Sequence, residues 1–144
     1  MLFFFTLCVA ILSFSVVPVG AACLYTDTKY GSIVGGHLNL TLPFNSTSID
    51  ATAFYGCLEL RTITFPGNLT TIGFSAFEGS GLTSFELPQN VTTIGSSAFI
   101  RCSNLTSVTF EGNSTLGEIG ANTFKSSGLI SIVLPKSVTT IGTD

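Results

Sequence analysis

Apolar positions in this chain recur with a period of 22 to 24 residues. Three consecutive phrases carry the pattern: 60–81 (LRTITFPGNLTTIGFSAFEGSG), 82–104 (LTSFELPQNVTTIGSSAFIRCSN) and 105–128 (LTSVTFEGNSTLGEIGANTFKSSG). A degenerate copy begins near His37, and a broken one runs from Leu129 to the end. Each phrase opens on a Leu (Leu60, Leu82, Leu105, Leu129), followed three and five residues later by Ile63/Phe85/Val108/Ile132 and Phe65/Leu87/Phe110/Leu134. Apolar positions two apart predict a strand with one face turned inward. A Pro then ends the strand at Pro43, Pro66, Pro88 and Pro135, because it cannot donate to a ladder. A fourth ladder follows at Ile49, Ile72, Ile94, Ile119 and Ile141, usually with Gly after it. Five residues past each of the first four Ile stands a Phe: Phe54, Phe77, Phe99 and Phe124. Small residues precede each Phe, which predicts a short helical turn, and the shared position predicts a stacked spine of rings. A period of this size specifies a solenoid, in which each unit is too small to fold alone and stacks on its neighbours. The expected architecture is β-rich, with coils of 22–24 residues, parallel strands and short helical turns, in about 4.5 repeats.

The first 22 residues stand outside the repeat. Residues 2–19 (LFFFTLCVAILSFSVVPV) carry no charge and run into Gly20-Ala21-Ala22. This reads as an apolar h-region with an A-x-A-like cleavage site, so 1–22 is expected to be a secretory signal peptide. The stretch is also long enough to span a bilayer, which keeps a retained signal anchor open. Residues 23–36 are then an N-terminal cap, and 37–144 are the repeats, the last incomplete. Export leaves Cys23, Cys57 and Cys102. The last two share a repeat position but lie two coils apart, about 10 Å at about 4.8 Å per coil. That exceeds the reach of a disulfide. They are expected as small buried residues in a polar-or-sulfur ladder, with a Cys23–Cys57 pair in the cap as the alternative for Cys57. The run Gly20-Ala21-Ala22-Cys23 only loosely matches a lipidation signal, since Gly20 stands where a Leu is required and no basic residue precedes it.

Charge and motif content narrow the function classes. All eight acidic and five basic residues lie after the leader, and no Lys/Arg cluster forms among them. Nucleic acid and anionic membrane surfaces are therefore not the expected partners. The single His, His37, falls where the degenerate copy should have an apolar anchor, so it reads as a cap residue rather than a base. No phosphate loop, nucleophile elbow or H-E-x-x-H is present, and Cys/His spacing suits no metal. The acids Glu59, Glu78, Glu86, Glu111 and Glu118 fall at different repeat offsets, so no carboxylate pair is implied. The expectation is a non-enzyme with no cofactor, no metal and no small-molecule substrate.

The combined pattern L-x-x-I-x-[LF]-P-x-x-V-T-x-I-G-x-x-A-F-x-x-C, clearest in 60–104 and covering 37–144, resembles the BspA-like class of leucine-rich repeats. The chain departs from it where Glu111 replaces the Pro and two extra residues precede Ile119. The resemblance implies a leucine-rich repeat solenoid of the α/β type. It also implies a surface or secreted molecule, of the kind that bacteria and protozoa use in adhesion to host matrix or to neighbouring cells. In such a repeat the outward strand positions form a continuous surface. Here these are Arg61, Thr83, Thr106 and Ile130, then Thr62, Ser84, Ser107 and Ser131, then Thr64, Glu86, Thr109 and Val133. The degenerate copy adds Leu38, Asn39 and Thr41. This hydroxyl-rich face is the candidate ligand-binding surface for a protein or glycan, although Thr and Ser also simply suit exposed strand positions. Ile130 and Val133 stand out as apolar where their counterparts are polar.

Six of the seven Asn residues lie in N-x-[ST] sequons: Asn39, Asn45, Asn68, Asn90, Asn104 and Asn113. They are candidate N-glycosylation sites. Four of them share one repeat position, two residues past the Pro slot, where turn chemistry alone can also select Asn. The leading expectation is an exported recognition or adhesion protein, secreted or held at the cell surface. The alternative is a non-functional or purely structural N-terminal fragment of a larger surface repeat protein. Ile132, Leu134 and Ile141 near an uncapped last coil predict self-association through that end.

Overall fold

The computed structural model describes residues 31–34 and 37–143. The leader, Cys23, the remainder of the expected cap and the side chain of His37 lie outside the described residues. Ten strands appear in chain order: β1 (Gly31–Val34), β2 (His37–Thr41), β3 (Ser48–Ile49), β4 (Leu60–Thr64), β5 (Thr71–Ile72), β6 (Ser84–Leu87), β7 (Thr93–Ile94), β8 (Ser107–Phe110), β9 (Glu118–Ile119) and β10 (Thr140–Ile141). They form two five-stranded sheets, ordered β1-β2-β4-β6-β8 and β10-β9-β7-β5-β3. Every pairing is parallel except β1–β2, where an antiparallel strand lies against the first coil. Each of the first four coils thus contributes one strand to each sheet, and the last contributes β10 to the second. The expected leucine-rich repeat solenoid is present.

The four apolar ladders lie inside. Leu60, Leu82 and Leu105 are fully buried, as are Ile72 and Ile94. The Phe spine forms as its periodicity requires. Phe54 and Phe77 stack at 5.0 Å, Phe77 and Phe99 at 5.1 Å, and Phe99 and Phe124 at 5.6 Å, all within 9° of parallel. Near-parallel rings at this separation are offset-stacked, the favourable arrangement for two quadrupoles. Phe65 and Phe85 meet the spine from the first sheet, Phe65 edge-on to Phe77 and Phe85 stacked on Phe99.

The expected helical turns do not form; no helix occurs among the described residues. The Ala-Phe segments instead build a third wall of consecutive turns. Thr52, Phe54 and Gly56 send their amides across to the carbonyls of Phe74, Ala76 and Glu78 in the next coil. The intervening amides of Ala53, Tyr55 and Cys57 close local turns on Asp50, Thr52 and Phe54. The scheme repeats from Ser75 and again from Ser97. A helix would direct every amide four residues back along its own chain; here alternate amides are committed to a neighbouring coil. Two residues of each coil, four apart, also take positive φ: Thr52/Gly56, Ser75/Gly79, Ser97/Arg101 and Asn122/Ser126. Left-handed residues at that spacing break a right-handed helix.

A second expectation fails at the last coil. Leu129–Leu134 forms no strand, although Leu129, Ile132 and Leu134 pack partly buried against the core. Among the described residues β8 pairs only with β6, and this run does not join the ladder. The irregularity at Glu111 stays local. Its carboxylate accepts the Gln89 amide of the preceding coil at 3.0 Å, and register is regained where Glu118 pairs with Thr93.

The Gly after each ladder Ile is required by close approach of the coils. A Cβ on Gly95 would stand 2.8 Å from the carbonyl carbon of Gly73.

Candidate functional site

The first sheet turns two columns of side chains outward. Register aligns Asn39, Thr62, Ser84 and Ser107 in one column, and in the other Thr41 with Thr64 and Glu86 with Thr109. Thr41, Thr62, Thr64, Ser84, Glu86, Ser107 and Thr109 are exposed, and Asn39 is half-buried. Side chains alternate across a strand, so these positions face out because Ile63, Phe85 and Val108 between them face in. Thr62 donates to Asn39 Oδ1 at 2.7 Å, which ties the first two strands together on this surface. The result is a flat, hydroxyl-rich strip with one carboxylate.

The position next to each opening Leu behaves differently. Thr83 directs both its amide (3.0 Å) and its hydroxyl (3.1 Å) to the carbonyl of Arg61. Thr106 does the same to Thr83, at 2.9 and 3.3 Å. These hydroxyls close the coil-to-coil ladder, with Thr83 half-buried and Thr106 still exposed. Arg61 is half-buried and donates to the Gly81 carbonyl at 3.3 Å. Leu38, expected on the outward face, pairs with Leu60, because a register shift between Leu38 and Asn39 skips one residue.

Ile130, Ser131 and Val133 are exposed, Ile130 completely, but they do not continue the columns because their segment is not a strand. The structure therefore builds one continuous outward face from β2, β4, β6 and β8 and leaves these three outside it.

A second outward face escapes the sequence reading. The residue before each ladder Ile, namely Ser48, Thr71, Thr93, Glu118 and Thr140, lines the second sheet. Beside it, Thr70, Thr92 and Thr139 repeat the double donation seen at Thr83, to the carbonyls of Thr47, Thr70 and Gly117. The Thr-Thr-Ile triplets were the available sign.

Cys57 and Cys102 do not pair with each other, as their separation demands. Cys57 is disulfide-bonded, to a cysteine outside the described residues, so it is more than a small buried side chain. Cys102 is free and buried; its thiol donates to the Phe77 carbonyl at 3.0 Å and lies 3.4 Å from Ser80 Oγ. Burial pushes the Cys102 thiol above its ordinary pKa, against a smaller opposing effect of the Ser80 contacts. No group of three or more His, Cys, Asp or Glu side chains gathers among the described residues.

Residues 37–144 match the family model for the BspA-type leucine-rich repeat region (6 copies). The chain belongs to that family. Among solved structures, this BspA-type chain is similar to the pneumococcal vaccine antigen PcpA. The two share 34% identity at a TM-score of 0.62, over 72% of this chain and 26% of that one. It is also similar to the T. pallidum leucine-rich repeat protein TpLRR, at 28% identity and a TM-score of 0.65, over 78% of this chain and 60% of that one. The BspA-type chain thus spans about a quarter of the first relative and three-fifths of the second. No curated protein matches it.

Proposed function

We propose that this BspA-type repeat protein is exported and acts by recognition, binding an extracellular protein or glycan through the outward face of its first sheet. The observation that carries this reading is the continuity of that face. Four adjacent strands present exposed Thr and Ser in aligned columns, with only Glu86 charged. A flat surface of short hydroxyls can donate and accept hydrogen bonds, and it loses little side-chain entropy on binding. Supporting export are the apolar leader and the Cys57 disulfide, since disulfides persist in oxidising compartments. One of the relatives is named a vaccine antigen, in keeping with a molecule exposed at a cell surface. The role is binding rather than catalysis, with no cofactor, metal or nucleic acid involved.

The test is to probe the purified chain against arrays of glycans and matrix proteins, then repeat with Ser84→Lys/Thr109→Lys. Both side chains are exposed, so the fold should persist. Binding of any captured ligand should fall at least roughly tenfold, about 1.4 kcal/mol. The control Lys125→Glu, on the turn wall, should bind as the parent does. Equal loss in the control, or none in the face variant, would remove the first sheet as the recognition surface.

A further inference from the structure

The sequons divide once their geometry is known. Asn45, Asn68, Asn90 and Asn113 each occupy the third residue of a four-residue turn. These turns are closed by the amides of Ser46, Leu69, Val91 and Ser114 on the carbonyls of Pro43, Pro66, Pro88 and Glu111. All four Asn are exposed. None has a positive φ, so the tolerance of Asn for left-handed backbone is not what places it there. Nor do side-chain contacts place it, because Asn45, Asn68 and Asn113 make no side-chain hydrogen bond among the described residues. The sequon threonines, by contrast, have a structural explanation. Thr70, Thr92 and Thr115 donate their hydroxyls to carbonyls of the preceding coil. What remains without a folding contact, the Asn90 bond to the Gly67 carbonyl apart, is the Asn side chain.

We infer that the turn edge between the two sheets is an N-glycan-bearing edge, modified at the turn asparagines, which leaves the recognition face of the first sheet uncovered. The inference rests on the export reading above, because the acceptor must meet its transferase in a secretory compartment. In the transfer, Asn Nδ2 attacks the anomeric carbon of a lipid-diphosphate-linked oligosaccharide. The N–C bond forms, the C–O bond to diphosphate breaks, the lipid diphosphate leaves with the electron pair, and one amide proton is lost. One N–H remains. Asn90 can therefore carry a glycan and still donate to the Gly67 carbonyl, a bond of 2.7 Å. The fold tolerates the modification because the exposed amides of all four residues have no other structural commitment. Asn39 differs: it is half-buried, lies in a strand paired on both sides, and sits within the recognition face.

The experiment expresses the full chain in a eukaryotic secretory host in two arms, one with its own leader and one with residues 1–22 replaced by a strong heterologous leader. Secreted and cell-retained protein are treated with peptide N-glycosidase in heavy-oxygen water and mapped by mass spectrometry. The expected result is heavy-oxygen Asp at more than one of Asn45, Asn68, Asn90 and Asn113. Asn68→Gln should remove one glycan without reducing secretion. Label at one turn site or none, or only at Asn39 and Asn104, in the heterologous-leader arm overturns the inference. Label in that arm with no export in the native-leader arm upholds the glycan edge and overturns the export reading instead.

Discussion

Phe77 is stacked on both faces, by Phe54 and Phe99, and met edge-on by Phe65, with no exposed surface of its own. Phe77→Ala leaves a ring-sized void in a column that cannot close without shifting two coils. The expected cost is about 3–5 kcal/mol, read as a lower urea midpoint; a melt superimposable on the parent would mean the spine does not hold the stack. Cys102 gives a second prediction. Its thiol pKa is raised by burial, so the folded state holds that proton more tightly than the unfolded chain does. The associated stability is complete below the unfolded thiol pKa, about 8.5, and is lost as pH rises through the higher folded value. Alkylation of the Cys102 peptide should be slow in the native protein at neutral pH and fast in denaturant. Rapid native labelling would show the thiol to be accessible. The sequence made the Phe spine legible, because one residue type recurs at one offset. It could not distinguish Thr83 from Thr62, since both read as outward hydroxyls. Only the acceptors separate them: Thr83 bonds the Arg61 carbonyl and closes the backbone ladder, whereas Thr62 bonds the Asn39 side chain across the outward face.

At the scale of the element, the two sheets were readable and the third wall was not. Alternation in Leu60–Thr64 and the Ile ladder announce strands directly. The turn wall mimics a helix in sequence because its Ala-Phe core suits one, and its left-handed slots hold Thr, Ser, Asn and Arg as well as Gly. No glycine signature survives to mark them, and the bonds that defeat the helix come from residues 21 to 24 positions away. This wall yields a paired prediction. Gly79 has φ +64° and open space where a Cβ would go, so Gly79→Ala should cost about 1–2 kcal/mol from backbone strain alone. Gly95 has an ordinary φ but backbone 2.8 Å from the Cβ position, so Gly95→Ala must push two coils apart. Gly95→Ala should therefore be the more damaging in denaturant titrations. The reverse order would mean that coil spacing yields more readily than the left-handed turn.

The whole molecule has unlike ends. At one, β1 runs antiparallel to β2 and covers the first strand of the first sheet. At the other, β10 pairs only with β9, and Ile141 is 59% exposed where the equivalent Ile119 is 4% exposed. Phe124 is stacked on one face only, by Phe99, and it lines an open cleft with Ile119, Gly120, Ile141 and Gly142. That surface offers what every coil offers the next: an apolar ladder, a ring face and unpaired strand edges. The last coil therefore holds its ladder Ile by one neighbour where Ile119 is held by two. The same substitution should then have unlike costs at the two positions: Ile119→Lys puts a charge where the side chain is 4% exposed, and Ile141→Lys puts one at the surface. Urea titration should show a midpoint well below the parent's for Ile119→Lys and one close to it for Ile141→Lys. Ile141 lies at the surface and outside the buried core, so the variant should melt as the parent does. Equal losses in the two variants would mean that the last coil holds its Ile as firmly as the coil before it.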